Sequence, residues 1–442
     1  MLDLRYKTIL AVALPMMVSG FIQSIVLLTD AAFVARYSTE AFDAVGNGGL
    51  LFVTMYMTLL GMGDGAQIII ARRIGEEHTN AIGRIFGTSL MIHFFLAIIL
   101  FSILFWVMPA AVMGYSKNAH IAELQGKFIQ IRSFALFFAM ITISIQALFL
   151  AKGKTWVVLI AAIITATSNV ILDYGLIFGR FGLPEMGMEG AALASTIADG
   201  LGMLFLVIYL FFSEERRAYK LFEYFSFNFK SMIELLKVGS PLMLQGFSAL
   251  ATWTLFFTWL EQKGQFDLTV SQNIRSIYFL AFVPIWGFAG TTKTYISQYI
   301  GAKEFDKIPI IQRKIQIMTV LFLFFTFHGA IFYPEAMIRM INPSEIYVQK
   351  SAEILRLITL SILAFGFSSV YFQTIHGSGN TLHSMIIEFS CVFIYTCCTY
   401  TFIKIWNLDI FWIWTVEYVY FVLLGVFSLL YLRFYDWKKK IV

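Results

Sequence analysis

The groups in this chain best placed to do chemistry are carboxyls inside long apolar runs. An acid in hydrocarbon costs several kcal/mol unless it is neutralised or faces a cavity. Asp30 lies well beyond Lys7 along one run and Asp173 well beyond Lys154 along another, with Asn169 four positions before Asp173 on the same helical face. At the helical rise, Asp30 and Asp173 sit about 34 Å and about 28 Å along their helices. Ser195 and Thr196, on a helix returning from Met188, come back roughly 10 to 12 Å. All of these groups can meet in one half of a bundle. Two carboxyls with amide and hydroxyl oxygens beside them make a cation site. Its occupant is either a proton shared by the carboxyls or a sodium ion held at Asp30, Asn169 and Asp173.

Other polar groups in apolar segments are candidates to line a cleft: Asp64 between Gly63 and Gly65, Asp199, Arg132, Arg275, Arg356 and Glu388. Lys293 joins the basic set, whose members either act as counter-ions for the acids or lie close enough to an interface to snorkel, and Glu388 and Glu417 are placed to face the interior of a second bundle. His93 and His328 are single histidines on apolar helices and read as hydrogen-bonded core groups rather than ligands. The chain has no Ser/His/Asp, Cys-x-x-Cys, His-Glu-x-x-His or phosphate-loop pattern, so neither an enzyme nor an organic cofactor is expected. The basic residues do not form an aromatic-interleaved polar block, which excludes nucleic acid as a partner.

The elements that must position these groups are membrane spans. Of 442 residues, 59% are hydrophobic and only 13% charged, against about 25% charged in soluble proteins. The reading is an all-α polytopic membrane protein. Twelve segments are long enough to cross a bilayer core, each needing roughly 20 apolar residues. They run approximately Thr8 to Val34, Val45 to Ala71, Ile85 to Met108, Phe128 to Ala151, Trp156 to Phe178, Met188 to Phe212, Val238 to Leu260, Val270 to Ser297, Ile315 to Tyr333, Ala352 to Ile375, Leu382 to Ile405 and Ile410 to Leu432. The three cysteines, Cys391, Cys397 and Cys398, fall inside one apolar stretch and read as small hydrophobes.

With the N-terminus inside, most Lys and Arg, including Arg72, Arg73, Lys152, Lys154, Lys439 and Lys440, fall on the inner side. Both termini are therefore expected to be cytoplasmic. At a constant offset, Pro15 pairs with Pro241, Asn47 with Asn273, Gly61 with Gly287, Gly75 with Gly301, Gly153 with Gly379 and Thr155 with Thr381. Matches on Pro, Gly and Asn point to repeated backbone geometry. Two copies of six spans enter the membrane in the same direction, which implies two six-helix lobes related by a pseudo-twofold axis along the membrane normal. The boundary falls in the inner loop from Ser213 to Lys237, giving lobes at 1–222 and 223–442. Such a duplication suits alternating access. The repeat mates of Asp30, Asn169 and Asp173 are Phe256, Tyr395 and Thr399, so the coupling chemistry is expected in the first lobe only.

These residues resemble the multidrug and toxic compound extrusion (MATE) family of secondary transporters. The resemblance rests on Ala13-Leu14-Pro15 followed by Asp30, on Ala71-Arg72-Arg73-Ile74-Gly75 closing span two, and on Ser297-Gln298-Tyr299-Ile300-Gly301-Ala302 closing span eight. Gly153-Lys154-Thr155 and Gly377-Ser378-Gly379-Asn380-Thr381 resemble the family's turns after spans four and ten. The most specific stretch is Asn169, Asp173, Phe178-Gly179, Gly187, Gly190-Ala191-Ala192 and Ala194-Ser195. The resemblance implies a two-lobed antiporter that expels drugs and organic cations in exchange for H⁺ or Na⁺, with Asp30, Asn169, Asp173 and Ser195 as the first-lobe cation site. It also implies a monomer in the bacterial inner membrane, in contact with membrane lipid. Where one branch of the family carries acids in spans seven and ten, this chain has Gln245-Gly246-Phe247-Ser248 in span seven and no carboxylate in span ten beyond its start. That departure favours first-lobe coupling over a second-lobe sodium site. The alternative is a flippase for lipid-linked oligosaccharide, which would need Arg132, Arg275, Lys293 and Arg356 in the cleft.

Overall fold

The computed structural model describes residues 1–115, 118–223 and 228–438, almost all of them helical. Lys439, Lys440 and residues 224–227 of the expected linker lie outside the described residues. In the first half, span one is Tyr6–Tyr37, span two Thr39–Gly75, span three Thr79–Ser102, span four Ala135–Lys152, span five Thr155–Phe178 and span six Gly187–Phe212. In the second half, span seven is Phe229–Lys263, span eight Gln265–Gly301, span nine Ile308–Phe327, span ten Glu345–Gly377, span eleven Thr381–Tyr400 and span twelve Val416–Phe434. Among the described residues, ten helices are long and apolar enough to cross a bilayer, and the bent span eight makes eleven. Span seven is the twelfth. Its apolar run is thinned by Gly239, Ser240, Gln245, Gly246, Ser248, Thr252 and Thr254.

The internal duplication is visible residue by residue. Spans two and eight begin and end at repeat-equivalent residues, and spans one and seven both end at equivalent ones. Each copy has a proline inside its opening helix, Pro15 and Pro241. Gly153 and Gly379 close spans four and ten at φ of 80° and 79°, a left-handed turn that glycine adopts without a Cβ clash. Glu77 and Lys303, also equivalent, share φ of 59° after spans two and eight.

The copies differ in span four. The expected segment from Phe128 is helical earlier, from Ala119 to Ser133, then breaks at Phe134 before Ala135–Lys152, whereas its counterpart Glu345–Gly377 is continuous. Ser133 Oγ, at the break, donates to the Gln130 carbonyl at 2.6 Å, a local bond that competes with the helical ladder.

By contacts the chain divides into two compact units, Leu14–Met243 and Met1–Ala13 with Leu244–Val442. Against a division after residue 222, the start of span seven groups with the first unit and the start of span one with the second. The contacts within each unit explain this. Arg73 at the end of span two hydrogen-bonds Glu234, and a Cβ on Gly65 would lie 2.7 Å from the Gly239 backbone. In the other unit the Leu2 N–H donates to Gln298 at 2.9 Å. Tyr299 donates to the Leu2 carbonyl at 2.8 Å, Tyr295 to the Asp3 carbonyl at 2.9 Å and Lys314 to the Leu4 carbonyl at 2.7 Å.

The first unit's core gathers Val34, Phe52, Leu59, Leu136 and Ile177 among others. The second's is markedly aromatic, with Phe256, Phe257, Tyr278, Tyr395, Trp414 and Phe421. Their rings meet at centroid distances such as 5.3 Å for Phe256 and Trp414.

Candidate functional site

Spans five and six meet through small residues. A Cβ on Gly190 would come within 2.6 Å of the Leu176 carbonyl, and one on Gly202 within 2.0 Å of Thr165 Oγ1. This close approach, the usual role of small residues between membrane helices, brings the polar face of span five onto span six. Asn169 Nδ2 donates to Ser195 Oγ at 3.1 Å. Asp173, one turn further along span five, is fully buried, and Asn169 is nearly so. Asp30 of span one is half-buried, and its carboxyl is close enough to that of Asp173 for the two to share a hydrogen bond when either holds a proton.

The geometry therefore sets the four residues in two pairs, Asn169 hydrogen-bonded to Ser195 and the Asp30 carboxyl beside that of Asp173. Their acceptor atoms are bare. Asp30 Oδ1, Asn169 Oδ1 and both Asp173 oxygens are buried with no hydrogen-bond donor. Buried acceptors without donors are costly, and a positive charge relieves that cost.

Arg132, just before the break at Phe134, supplies the cationic side of the cluster. Its Nη1 lies 2.9 Å from Asp199 Oδ2 and 3.4 Å from Thr196 Oγ1, both on span six. Its guanidinium stands 4.2 Å from the centre of the Phe52 ring, a cation–π contact. The positive charge of Arg132 is also felt by Asp30 and Asp173. Three carboxyls around one guanidinium leave room for two positive charges. The donor set of carboxylate, amide and hydroxyl oxygens fits a hard cation or protons. Among the described residues no three His, Cys, Asp or Glu side chains form a metal-ligand group.

The other candidates are dispersed. Asp64 is partly buried in span two and engaged in an interaction. Arg356 is exposed and pairs with Glu335 at 3.0 Å, a residue of the short helix Pro334–Ile341 ahead of span ten. Arg275 lies 4.7 Å from the Phe257 ring centre, and Lys293 is buried and engaged. Glu388 and Glu417 are buried within the second unit, as their place on apolar helices implied. His93 is a buried, hydrogen-bonded core group, 2.8 Å from the Ser89 carbonyl and 3.2 Å from the Leu59 carbonyl. His328 is hydrogen-bonded too, to Tyr333 at 2.5 Å, but on an exposed surface.

Two features escaped the sequence. The pairing of Arg132 with Asp199 joins residues far apart in the chain. The tyrosines that hold Glu388 and Glu417, described below, look like any other aromatics of a membrane helix. The one available signal was Tyr395, which stands at the repeat position of Asn169.

Twelve long helices among the described residues, in two halves built on one plan, with a buried carboxyl–amide cluster in one half, define a duplicated polytopic membrane protein. It belongs to the MatE family, whose model matches residues 15–175 and again residues 241–401. The two matched stretches begin 226 residues apart and end 226 residues apart, which is the offset that pairs Pro15 with Pro241. A probable multidrug resistance protein NorM from Thermotoga maritima is 25% identical over 99% of this chain and 94% of its own length. A probable multidrug resistance protein YoeA from Bacillus subtilis is 23% identical over 85% of this chain and 81% of its own. Among solved structures, a MOP-superfamily transporter from Pyrococcus furiosus superposes with a TM-score of 0.90 at 18% identity, covering 98% of this chain and 97% of that one.

Proposed function

We propose that this protein is a secondary active exporter of small organic, chiefly cationic compounds, driven by inward movement of H⁺ or Na⁺. The coupling ion is taken by Asp30, Asn169, Asp173 and Ser195. The single observation that carries this reading is the set of bare, buried acceptor oxygens at Asp30, Asn169 and Asp173. The relatives are named as probable multidrug resistance proteins, and the substrate class is taken from them. The protein works as a monomer in the plasma membrane, the inner membrane of a bacterium, with both termini in the cytoplasm.

Ion and drug compete through conformation. Occupancy of the carboxyls by a cation removes the repulsion between them and lowers affinity for the drug. By linkage, drug binding lowers ion affinity by the same factor. Arg132 sets the starting level by balancing part of the acidic charge. The flippase alternative is supported less, because Arg132 is paired with Asp199 and Arg356 with Glu335.

Transport of ethidium in proteoliposomes under an imposed proton or sodium gradient tests the reading. One gradient alone is expected to accelerate export. Asp30→Asn and Asp173→Asn should each bring the rate down to that of protein-free vesicles, while the variants insert normally. Wild-type rates in both variants would overturn the assignment.

A further inference from the structure

The second unit holds its own pair of buried acids, and the mechanism above uses neither. Glu417, at the start of span twelve, is 3% exposed and Glu388, on span eleven, 7%. Both sit against the aromatic core. Glu417 Oε2 accepts from the Tyr278 hydroxyl of span eight at 2.5 Å, and its Oε1 accepts from the Tyr395 hydroxyl of span eleven at 3.1 Å. Glu388 Oε1 accepts from the Tyr420 hydroxyl of span twelve at 2.9 Å. The Tyr395 and Tyr420 rings meet with centroids 5.9 Å apart, which brings the two acids into one neighbourhood.

Among the described residues neither glutamate forms an ion pair with Lys, Arg or His. The groups facing them are the three tyrosines and Cys391 of span eleven. Span seven contributes Trp253, Phe256 and Phe257, and span ten contributes Phe365, all apolar. The basic residue seen against this core, Arg275 of span eight, lies over the Phe257 ring. An uncompensated carboxylate in such surroundings is expensive. A second observation points to a small ligand: Thr399 Oγ1, on a residue 1% exposed, has no hydrogen-bond partner, and it faces the Tyr395 side chain one turn before it.

We propose that Glu388, held by Tyr420, and Glu417, held by Tyr278 and Tyr395, form a second ion-binding site whose ligand is the proton alone. In the ionised state the tyrosine hydroxyls donate to the carboxylates. On protonation the new carboxyl O–H becomes a donor and a hydroxyl turns to accept. No bond other than O–H is made or broken, and the proton is taken from a hydronium ion, which leaves as water. The surroundings favour a proton over a metal cation, because both oxygens of Glu417 already receive donors and the remaining neighbours are mostly aromatic. The site is independent of the first-unit cluster and stands or falls without it.

Infrared difference spectroscopy of the full-length protein in lipid, stepped in pH with no substrate present, tests this directly. The carbonyl-stretch band of a protonated carboxylic acid is expected to grow and fade reversibly with pH. Glu417→Gln and Glu388→Gln should each remove part of it, and the band should be indifferent to sodium. If a glutamine variant fails to fold, Tyr278→Phe and Tyr420→Phe keep the acids and remove only a donor, and each should displace the midpoint of the band. A spectrum that is the same in wild type and all foldable variants, or a glutamate band that never moves with pH, would overturn the proposal.

Discussion

The two halves place buried acids in opposite settings. In the first, the acids come from spans one and five and present oxygens that receive no donor, with one guanidinium beside them. In the second, the acids come from spans eleven and twelve, and tyrosine hydroxyls donate to them. Repeat-equivalent positions make the divergence plain. Asp30 corresponds to Phe256, Asn169 to Tyr395, Asp173 to Thr399, and Phe52 under Arg132 to Tyr278. What the copies share is backbone: the prolines of spans one and seven, the left-handed glycines after spans four and ten, and the matched ends of spans two and eight. Duplication preserved the scaffold and released the side chains, so that bare acceptors arose in one copy and donor-capped acids in the other.

The sharpest way to break this comparison is to move an acid across it. Phe256→Asp places in the second copy the carboxylate that Asp30 supplies in the first. Phe256 is 2% exposed, with its ring centroid 5.3 Å from that of Trp414 and 6.3 Å from that of Tyr395. The new charge has no cation and adds to Glu417. A loss of about 3–5 kcal/mol is expected, from the lost ring and the buried unpaired acid together, seen as failure to recover monodisperse protein by size-exclusion chromatography. Normal yield and melting would mean the second core is wetter than its packing implies, and the contrast between copies would weaken.

A smaller effect is expected inside the first cluster, where two substitutions should act in opposite directions. Arg132→Met removes the guanidinium and should tighten cation binding about tenfold, the factor corresponding to a change of about 1.4 kcal/mol in a screened charge–charge interaction. Asp199→Asn leaves Arg132 unpaired and free to oppose the incoming ion, and should weaken binding by a similar factor. The measurement is the half-saturating concentration of the coupling ion in ethidium export. Shifts of the same sign in both variants would mean that Arg132 holds span six in place and does not tune charge.

Much of the scaffold could be read before any coordinates. Helical runs follow from apolar length alone, and Pro, Gly and Asn at a fixed offset exposed the repeat. Convergence of Asp30, Asn169, Asp173 and Ser195 at one depth follows from the helical rise. Three things could not be read. The break at Phe134 leaves no proline or glycine mark. The start of the first half groups with the second half through main-chain contacts of Leu2, Asp3 and Leu4, which carry no side-chain signature. The tyrosines around Glu417 come from spans eight and eleven, and partner choice across helices depends on rotation angles that periodicity does not fix.

The smallest expected effect concerns the segment that follows the last span of each copy. After span six, Glu215 is 1% exposed and receives Lys152 at 2.6 Å and Lys154 at 2.5 Å. After span twelve, the carbonyl of Trp437 receives Asn380 Nδ2 at 3.0 Å. Asn380 is the repeat mate of Lys154, so one position holds the tail of both copies, by charge in the first and by a neutral bond in the second. Burial pushes the Glu215 carboxyl up, but hydrogen bonds from Lys152 and Lys154 outweigh it and hold the group at about 2, below its ordinary 4.5. A depressed carboxyl stabilises the fold above its unfolded value and loses that contribution as pH falls through the folded one. Glu215→Gln should therefore cost about 1–3 kcal/mol at neutral pH, and the gap from wild type should close as pH drops from about 4.5 toward about 2. Asn380→Ala should cost about 1 kcal/mol, with no such closing. Apparent melting temperatures followed by tryptophan fluorescence from roughly pH 2 to roughly pH 8, a span that covers both the depressed and the ordinary carboxyl range, separate the two. Parallel pH profiles for both variants would show that the charge on Glu215 contributes nothing beyond its shape.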